Sequence, residues 1–201
     1  MALDHPSTVA VTPVAINIRE ANSIEDIAAV AKLGSHVFYV TFTHTCSAEE
    51  MRAYLEKCYS VEAIAKDAAD PMKDIIVATI TTAPNSVDGS PGPAPEEVFV
   101  GFAQLTRGTT KSCLAHVENS VELQRLYVHP EYQGRRIGRL LCERVEHMAR
   151  EENFRNMWLG VWEENVAAHH LYHKLGYKQV GQHVFDVGGN IQTDWVMVKE
   201  L

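Results

Sequence analysis

Three arginines, two glycines and a glutamine crowd one short stretch of an otherwise acidic chain: Gln133-Gly134-Arg135-Arg136-Ile137-Gly138, with Arg139 directly behind. The residues before it, VELQRLYVHP, read as a strand ending at Val128, and those after it, IGRLLCERVEHM, as a helix. Such a turn aims unpaired backbone N–H groups and the positive end of a helix at one spot. The chemistry available there is the grip of an anion, a pyrophosphate above all. The turn matches neither the P-loop pattern nor the dinucleotide fingerprint. A solvated basic turn would use the same residues, so spacing alone leaves both readings open. Metal chemistry is set aside. His169 and His173 stand at i, i+4, but His170 occupies the place where a zinc peptidase carries its glutamate, and no third ligand follows by spacing.

The elements that must position this turn follow from pattern. Ala15 to Arg19 alternates as a first strand. Ser23 is a helix N-cap with Asp26 in the first turn, and the apolar spacing runs from Ile24 to about Phe42. Ser47 with Glu50 forms a capping box for a helix over Ala48 to Cys58, and Ser60 starts a shorter one. Strands are expected at Ile75 to Thr82, Val98 to Arg107 and Glu118 to Val128. The long helix after the turn presents Ile137, Leu140, Leu141, Val145 and Met148 on one face. Met157 to Trp162 reads as a strand, and Val166 to Leu175 as a helix stopped by Gly176. Lys178 to Asp186 and Gln192 to Val198 then flank a Gly188-Gly189-Asn190 hairpin turn. Residues 1–13 read as a flexible leader and 84–97, rich in proline, as a mobile surface loop. This leaves a single α/β (α+β) domain over 14–201.

Composition narrows the function. The chain has 201 residues with 18 Lys+Arg against 26 Asp+Glu, a net charge of −8. A nucleic-acid binder would carry a basic stripe for the phosphates, so no nucleic acid is expected. No stretch approaches the roughly eighteen apolar residues of a membrane span, and the N-terminus lacks the basic and apolar regions of a signal peptide. The cysteines Cys46, Cys58, Cys113 and Cys142 form no C-x-x-C pair, which suits reduced thiols and a cytoplasmic protein.

Two segments together resemble the GCN5-related N-acetyltransferases (GNAT). The first, Gln133-Gly134-Arg135-Arg136-Ile137-Gly138, is similar to the family's Q/R-x-x-G-x-G/A signature at the start of a helix, with Arg136 in place of the first signature glycine. The second is NVAAHHLYHKLGY, where Asn165, Ala168, Leu171, Tyr172, Lys174, Gly176 and Tyr177 fit the family's N-x-x-A-x-x-L/F-Y-x-K-x-G-F/Y element. The C-terminal run looks most like the Pai-type polyamine (spermidine/spermine) N-acetyltransferases. The resemblance implies a mixed, mostly antiparallel sheet of about seven strands, splayed centrally and flanked by helices.

It also implies an activity: acetyl transfer from acetyl-CoA, without a metal, to the amine of a small molecule or polyamine. Protein N-terminal or lysine acetylation is the rival, as is a non-catalytic CoA-binding module of the same fold. By resemblance, the backbone of Leu126 and Val128 holds the pantetheine arm, and an N–H near Leu126 or Tyr127 polarises the carbonyl. Residues Gln133, Gly134, Arg135, Arg136, Ile137, Gly138 and Arg139 hold the pyrophosphate, and Asn165 contacts the pantetheine. Tyr172 is the candidate general acid, or else a core tyrosine beside Leu171 and Leu175. Glu122, eleven residues before Gln133, is the candidate base, or else a strand glutamate facing solvent while a water chain serves. The period of two puts Glu122, Gln124, Leu126 and Val128 on one strand face. A homodimer is left open, with the Trp195-bearing strand as the segment that could pair with a second chain.

Overall fold

The computed structural model describes residues 15–82, 96–187 and 190–201. Seven strands, β1 (Ile16–Glu20), β2 (Lys73–Thr82), β3 (Glu96–Thr106), β4 (Ser120–Val128), β5 (Asn156–Trp162), β6 (Lys178–Val187) and β7 (Asn190–Glu200), form one sheet in the order β1-β2-β3-β4-β5-β7-β6. Every neighbouring pair is antiparallel except β4 and β5, which run parallel. Helices α1 (Ile24–Phe42), α2 (Ala48–Tyr59), α3 (Val61–Ala68), α4 (Ile137–Glu151) and α5 (Val166–Lys174) flank it. This is the mixed, mostly antiparallel seven-stranded arrangement that the resemblance implies.

The helix starts are set by the residues the pattern singles out. Ser23 Oγ accepts the Asp26 N–H at 3.1 Å while the Asp26 carboxylate accepts the Ser23 N–H at 3.3 Å. Ser47 and Glu50 make the same reciprocal pair at 3.3 and 2.7 Å. Each box satisfies two donors that a helix N-terminus would otherwise leave open.

Two cores lie on opposite faces of the sheet. On one, the α4 stripe of Ile137, Leu141, Cys142, Val145, Met148 and Ala149 packs with Ala103, Leu105, Val121, Leu123, Met157 and Leu159, all buried. On the other, Val30, Val37 and Phe38 of α1, Met51 and Tyr59 of α2 and Ile64 of α3 cover Ile75, Val77 and Phe102. Each large side chain buried this way is worth about 1.5–3 kcal/mol, and α4 is thereby fixed over the middle of the sheet.

Two expectations change here, and others fall outside the described residues. β3 begins at Glu96, so residues 96 and 97 belong to a strand. The rest of the proline-rich segment, the 1–13 leader and the Gly188-Gly189 turn lie outside the described residues. The Trp195-bearing strand β7 has no free edge, because it is laddered to β5 on one side and β6 on the other. Among the described residues no helix is long and apolar enough to cross a membrane.

Candidate active site

The parallel β4–β5 ladder is short. It pairs Ser120 with Asn156, Val121 with Met157 and Glu122 with Trp158, and then stops. On its other side β4 stays paired to β3 as far as Val128 with Gly101. The His129 N–H donates to Val100 O at 2.9 Å, so the alternation of an antiparallel pair turns Tyr127 and His129 toward β3. Leu126 and Val128 therefore turn their N–H and C=O into the gap. Val128 O accepts from the Gln133 side chain at 3.3 Å instead of from a strand. Gly160, in the middle of β5, is exposed between buried Leu159 and Val161. β5 keeps its β7 partner there, Gly160 opposite Val196, but its β4 ladder has already ended.

The basic turn sits at the head of this gap. Leu140 is the first residue of α4 to close onto the preceding turn, donating to Arg136 O at 3.0 Å. The N–H groups of Ile137, Gly138 and Arg139 ahead of it form the open end of the helix. Gly134 has φ +75° and Arg136, the N-cap, φ 67° and ψ 5°. The position where the family signature carries glycine is thus left-handed here, which explains the glycine and makes the arginine a strained substitute. A Cβ on Gly138 would lie 3.5 Å from Leu171 and 3.6 Å from Val128, an ordinary contact, consistent with glycine or alanine there. Of the three arginines, Arg135 lies 5.0 Å over the Tyr132 ring and Arg139 Nε bonds Glu143 at 2.7 Å. Arg136 has no side-chain partner among the described residues.

Tyr172 is presented by a helix fixed at both ends. Asn165 caps α5, its Oδ1 accepting from Ala168 N–H at 3.1 Å, which leaves Nδ2 available. At the other end Gly176, φ +95°, donates to His173 O at 3.1 Å and Tyr177 to Tyr172 O at 3.0 Å. This pair of bonds is a Schellman motif. Tyr172 is 7% exposed, and burial holds its phenol well above 10. His169 is committed to structure: Nε2 lies 2.9 Å from Trp162 O and its ring stacks on Trp195 at 4.1 Å.

Glu122 does not share a face with Leu126 and Val128. A β-bulge between Gln104 and Leu105 in the β3–β4 ladder shifts the register, so Leu123 and Leu126, three residues apart, both pack in the α4-side core. An extra residue reverses the alternation beyond it. Glu122 instead faces the α1–α3 side with Arg125 and Tyr127. Burial raises its carboxyl, partly opposed by the nearby Thr109 hydroxyl and the charges of Lys111, Lys73 and Arg125.

Residues 48–177 match the model of the acetyltransferase (GNAT) family. The chain belongs to the GNAT acetyltransferases. It is an acyltransferase that takes acetyl-CoA as donor. It is 28% identical over 180 residues to the N-acetyltransferase of the pepI 3′ region of Lactobacillus delbrueckii subsp. lactis, covering 89% of this chain and 94% of that one. It is 23% identical to the spermidine N(1)-acetyltransferase of Thermoplasma acidophilum over 92% of this chain and 97% of the other. In fold it resembles the PaiA N-acetyltransferase of Thermoplasma acidophilum in complex with coenzyme A, with a TM-score of 0.65 and 24% identity. The match covers 93% of this chain and 99% of that one.

The acetyltransferase carries residues at the gap that the motifs do not mark. On the α1–α3 face, Arg125 bonds Asp67 at 2.6 Å, Gln104 at 2.6 Å and Cys58 O at 3.3 Å, and lies 5.1 Å over the Tyr59 ring. The Tyr59 and Tyr127 hydroxyls meet at 2.6 Å. Phe42 and His44, from the end of α1 and just beyond it, approach the Trp162 ring at 5.1 and 5.8 Å. Asp194 of β7 lies opposite Trp162, and burial pushes its carboxyl up to about 6. The only sequence signals were Gly160 inside an apolar strand and a lone aspartate inside another.

Proposed function

We propose that this acetyltransferase acetylates a primary amine of a small molecule, a polyamine such as spermidine among the candidates, by direct attack of the amine in the gap between β4 and β5. The gap carries the reading: the ladder ends at Glu122 and Trp158, while the open end of α4 stands beside it. The residues fit the donor. The turn from Gln133 to Arg139 binds the pyrophosphate, and the backbone of Leu126 and Val128 binds the pantetheine arm with Asn165 Nδ2 near it. The Leu126 N–H, turned into the gap, polarises the thioester carbonyl. When bound, acetyl-CoA supplies an acetyl group activated as a thioester, with a thiolate as leaving group.

The protons then decide the rest. An ammonium must lose one proton before its nitrogen can attack and a second as the C–N bond forms, while the sulfur released by C–S cleavage needs one. Tyr172 holds the proton for the sulfur: burial keeps its phenol protonated, and the second amine proton restores it. Glu122 lies roughly 10–13 Å along β4 from Leu126 by strand rise, so it reaches the reacting nitrogen only through water. The acidic surface, −8 overall, favours a cationic acceptor over an anionic one.

A panel of amines (spermidine, putrescine, benzylamine, a lysine peptide and a peptide N-terminus) with acetyl-CoA, read by product mass, tests the reading. Monoacetylated small amine is expected. Acetylation of the peptides alone moves the acceptor class to protein, and acetyl-CoA binding without any product leaves a binding module.

A further inference from the structure

The gap has a second wall that the family motifs leave unread. Gly160 has no side chain, and a Cβ built on it would lie 3.3 Å from Asp194 Oδ2. The aspartate of β7 therefore reaches across β5 through the space the glycine leaves, toward the part of the sheet where β4 has pulled away. Gly160 is exposed there, so the carboxylate stands at an open cleft inside the sheet. It has no hydrogen-bond partner among the described residues. Two residues below Gly160, Trp158 is 1% exposed with its Nε1 buried and unpartnered, a donor without an acceptor on the same face as the unpartnered carboxylate.

The level along the strands matters. Trp158 is opposite Glu122, so Gly160 and Trp162 lie progressively higher, abreast of the stretch from Gln124 to Tyr127. Asp194, opposite Trp162 and leaning on Gly160, is level with the N–H groups that face the gap. Tyr127, on the far wall, is raised chiefly by burial, and the negative charge of Asp194 adds a smaller push. Lys111 and Glu163 are the other charges that act on Asp194. Lys111 Nζ is 3.0 Å from His183 Nε2 and 5.9 Å from the Trp158 ring. Arg125, half-buried on that face, is spent on Asp67. This leaves one carboxylate without a partner at the level of the reaction.

We propose that Asp194 receives the acceptor's ammonium and takes its first proton, leaving the nitrogen lone pair free to attack. This rests on the amine-acetyltransferase reading above. The step balances: R–NH₃⁺ and the Asp194 carboxylate become R–NH₂ and the Asp194 carboxylic acid, which returns its proton to solvent. A carboxyl pushed up to about 6 is ionised above that pH and close enough to neutrality to accept a proton.

The test is the pH profile of kcat/KM for spermidine, or for another panel amine that is turned over, in wild type, Asp194→Asn, Asp194→Glu and Glu122→Gln. Wild type is expected to lose activity below an acid limb near pH 6. Asp194→Asn loses about 100-fold in kcat/KM at pH 8 and loses that limb, while its thermal midpoint does not fall. Asp194→Glu keeps the limb and recovers part of the rate, and Glu122→Gln keeps the limb in place. If Asp194→Asn retains both rate and limb, or if the limb leaves with Glu122→Gln instead, the assignment is overturned and the amine reading stands. If wild type acetylates no amine, the function reading fails and the Asp194 assignment with it.

Discussion

The turn at the head of α4 and the pocket across β4 from it both hold charge, but they are built in opposite ways. The turn is local: seven consecutive residues, Gln133 to Arg139, supply backbone donors, and its charged side chains are exposed. The pocket is assembled from distant pieces. Asp67 comes from α3, Arg125 and Tyr127 from β4, Tyr59 from α2, Gly160 from β5 and Asp194 from β7. At the turn the backbone does the work and side-chain identity is negotiable, as Arg136 in a left-handed position shows. In the pocket the Arg125, Asp67 and Tyr59 side chains are largely shielded from water and hold one another, so each of their polar atoms needs its partner and substitution there is costly. The difference predicts where mutation does harm.

The largest effect is expected at Arg125. Its guanidinium lies beneath Tyr59 with bonds to Asp67, Gln104 and Cys58 O. Arg125→Met removes the charge and strands Asp67 with Lys73 alone at 2.5 Å. A loss of about 3 kcal/mol in urea unfolding is expected, at the low end for a broken buried pair because Lys73 remains. A change below about 1 kcal/mol would show that the pocket tolerates substitution as the turn does.

Tyr172 comes next and separates chemistry from packing. Tyr172→Phe keeps the ring in the α4-side core, so thermal stability should hold while kcat falls about 100-fold with little change in the KM for acetyl-CoA. A variant that loses stability but keeps its turnover would return Tyr172 to a purely structural role.

Asp26 is a control away from the gap. Arg19 grips it in a bidentate pair at 2.7 and 2.8 Å, and with the N–H groups of Asn22 and Ser23 this holds the carboxyl down to about 2. A carboxylate held below its unfolded value near 3.8 contributes its stability above that pH and loses it as pH falls through about 2. Asp26→Asn should therefore cost about 2 kcal/mol at pH 7 and nearly nothing at pH 2, by thermal unfolding at the two pH values. Asp194, raised instead of lowered, has the opposite sign: the folded state disfavours its charge, and stability is lost as pH rises from the unfolded value near 3.8 to about 6. A structural carboxylate and a poised one differ in that sign.

The same contrast explains what the sequence could reveal. Capping boxes at Ser23 and Ser47, the α4 stripe, Gly176 and the basic turn each lie within a few consecutive residues, where spacing maps directly onto geometry. The motif pair around Gln133 and Asn165 was readable for the same reason. Glu122 was misread because one bulge residue reverses every later side chain on a strand, and nothing local in VELQRLYV marks it. Arg125 and Tyr59 were silent because their meaning comes from partners 58 to 68 residues away in the chain, and the lone aspartate at 194 could not be read because its meaning comes from the side chain Gly160 lacks. The Trp195-bearing strand was read as one that could pair with a second chain because strand order, which places β7 between β5 and β6, is not written in strand sequence.

Arg136 offers the smallest and most discriminating test of the comparison. Left-handed backbone costs a non-glycine residue about 1–2 kcal/mol, and a glycine gives back about 0.5–1 kcal/mol through the added freedom of the unfolded chain. Arg136→Gly should then stabilise the protein by about 0.5 kcal/mol, a thermal shift of a degree or two by calorimetry. Its guanidinium is exposed, and an exposed charge is screened at physiological salt, so the Kd for CoA by isothermal titration should rise no more than about threefold. The rise should be larger at low salt. Because the N–H groups of Ile137, Gly138 and Arg139 do not depend on the residue at 136, a site built from backbone survives the exchange. A tenfold loss at physiological salt would mean that the arginine itself grips the pyrophosphate. In that case the turn, like the pocket, depends on its side chains, and the chain has exchanged a strain-free glycine for a charged ligand.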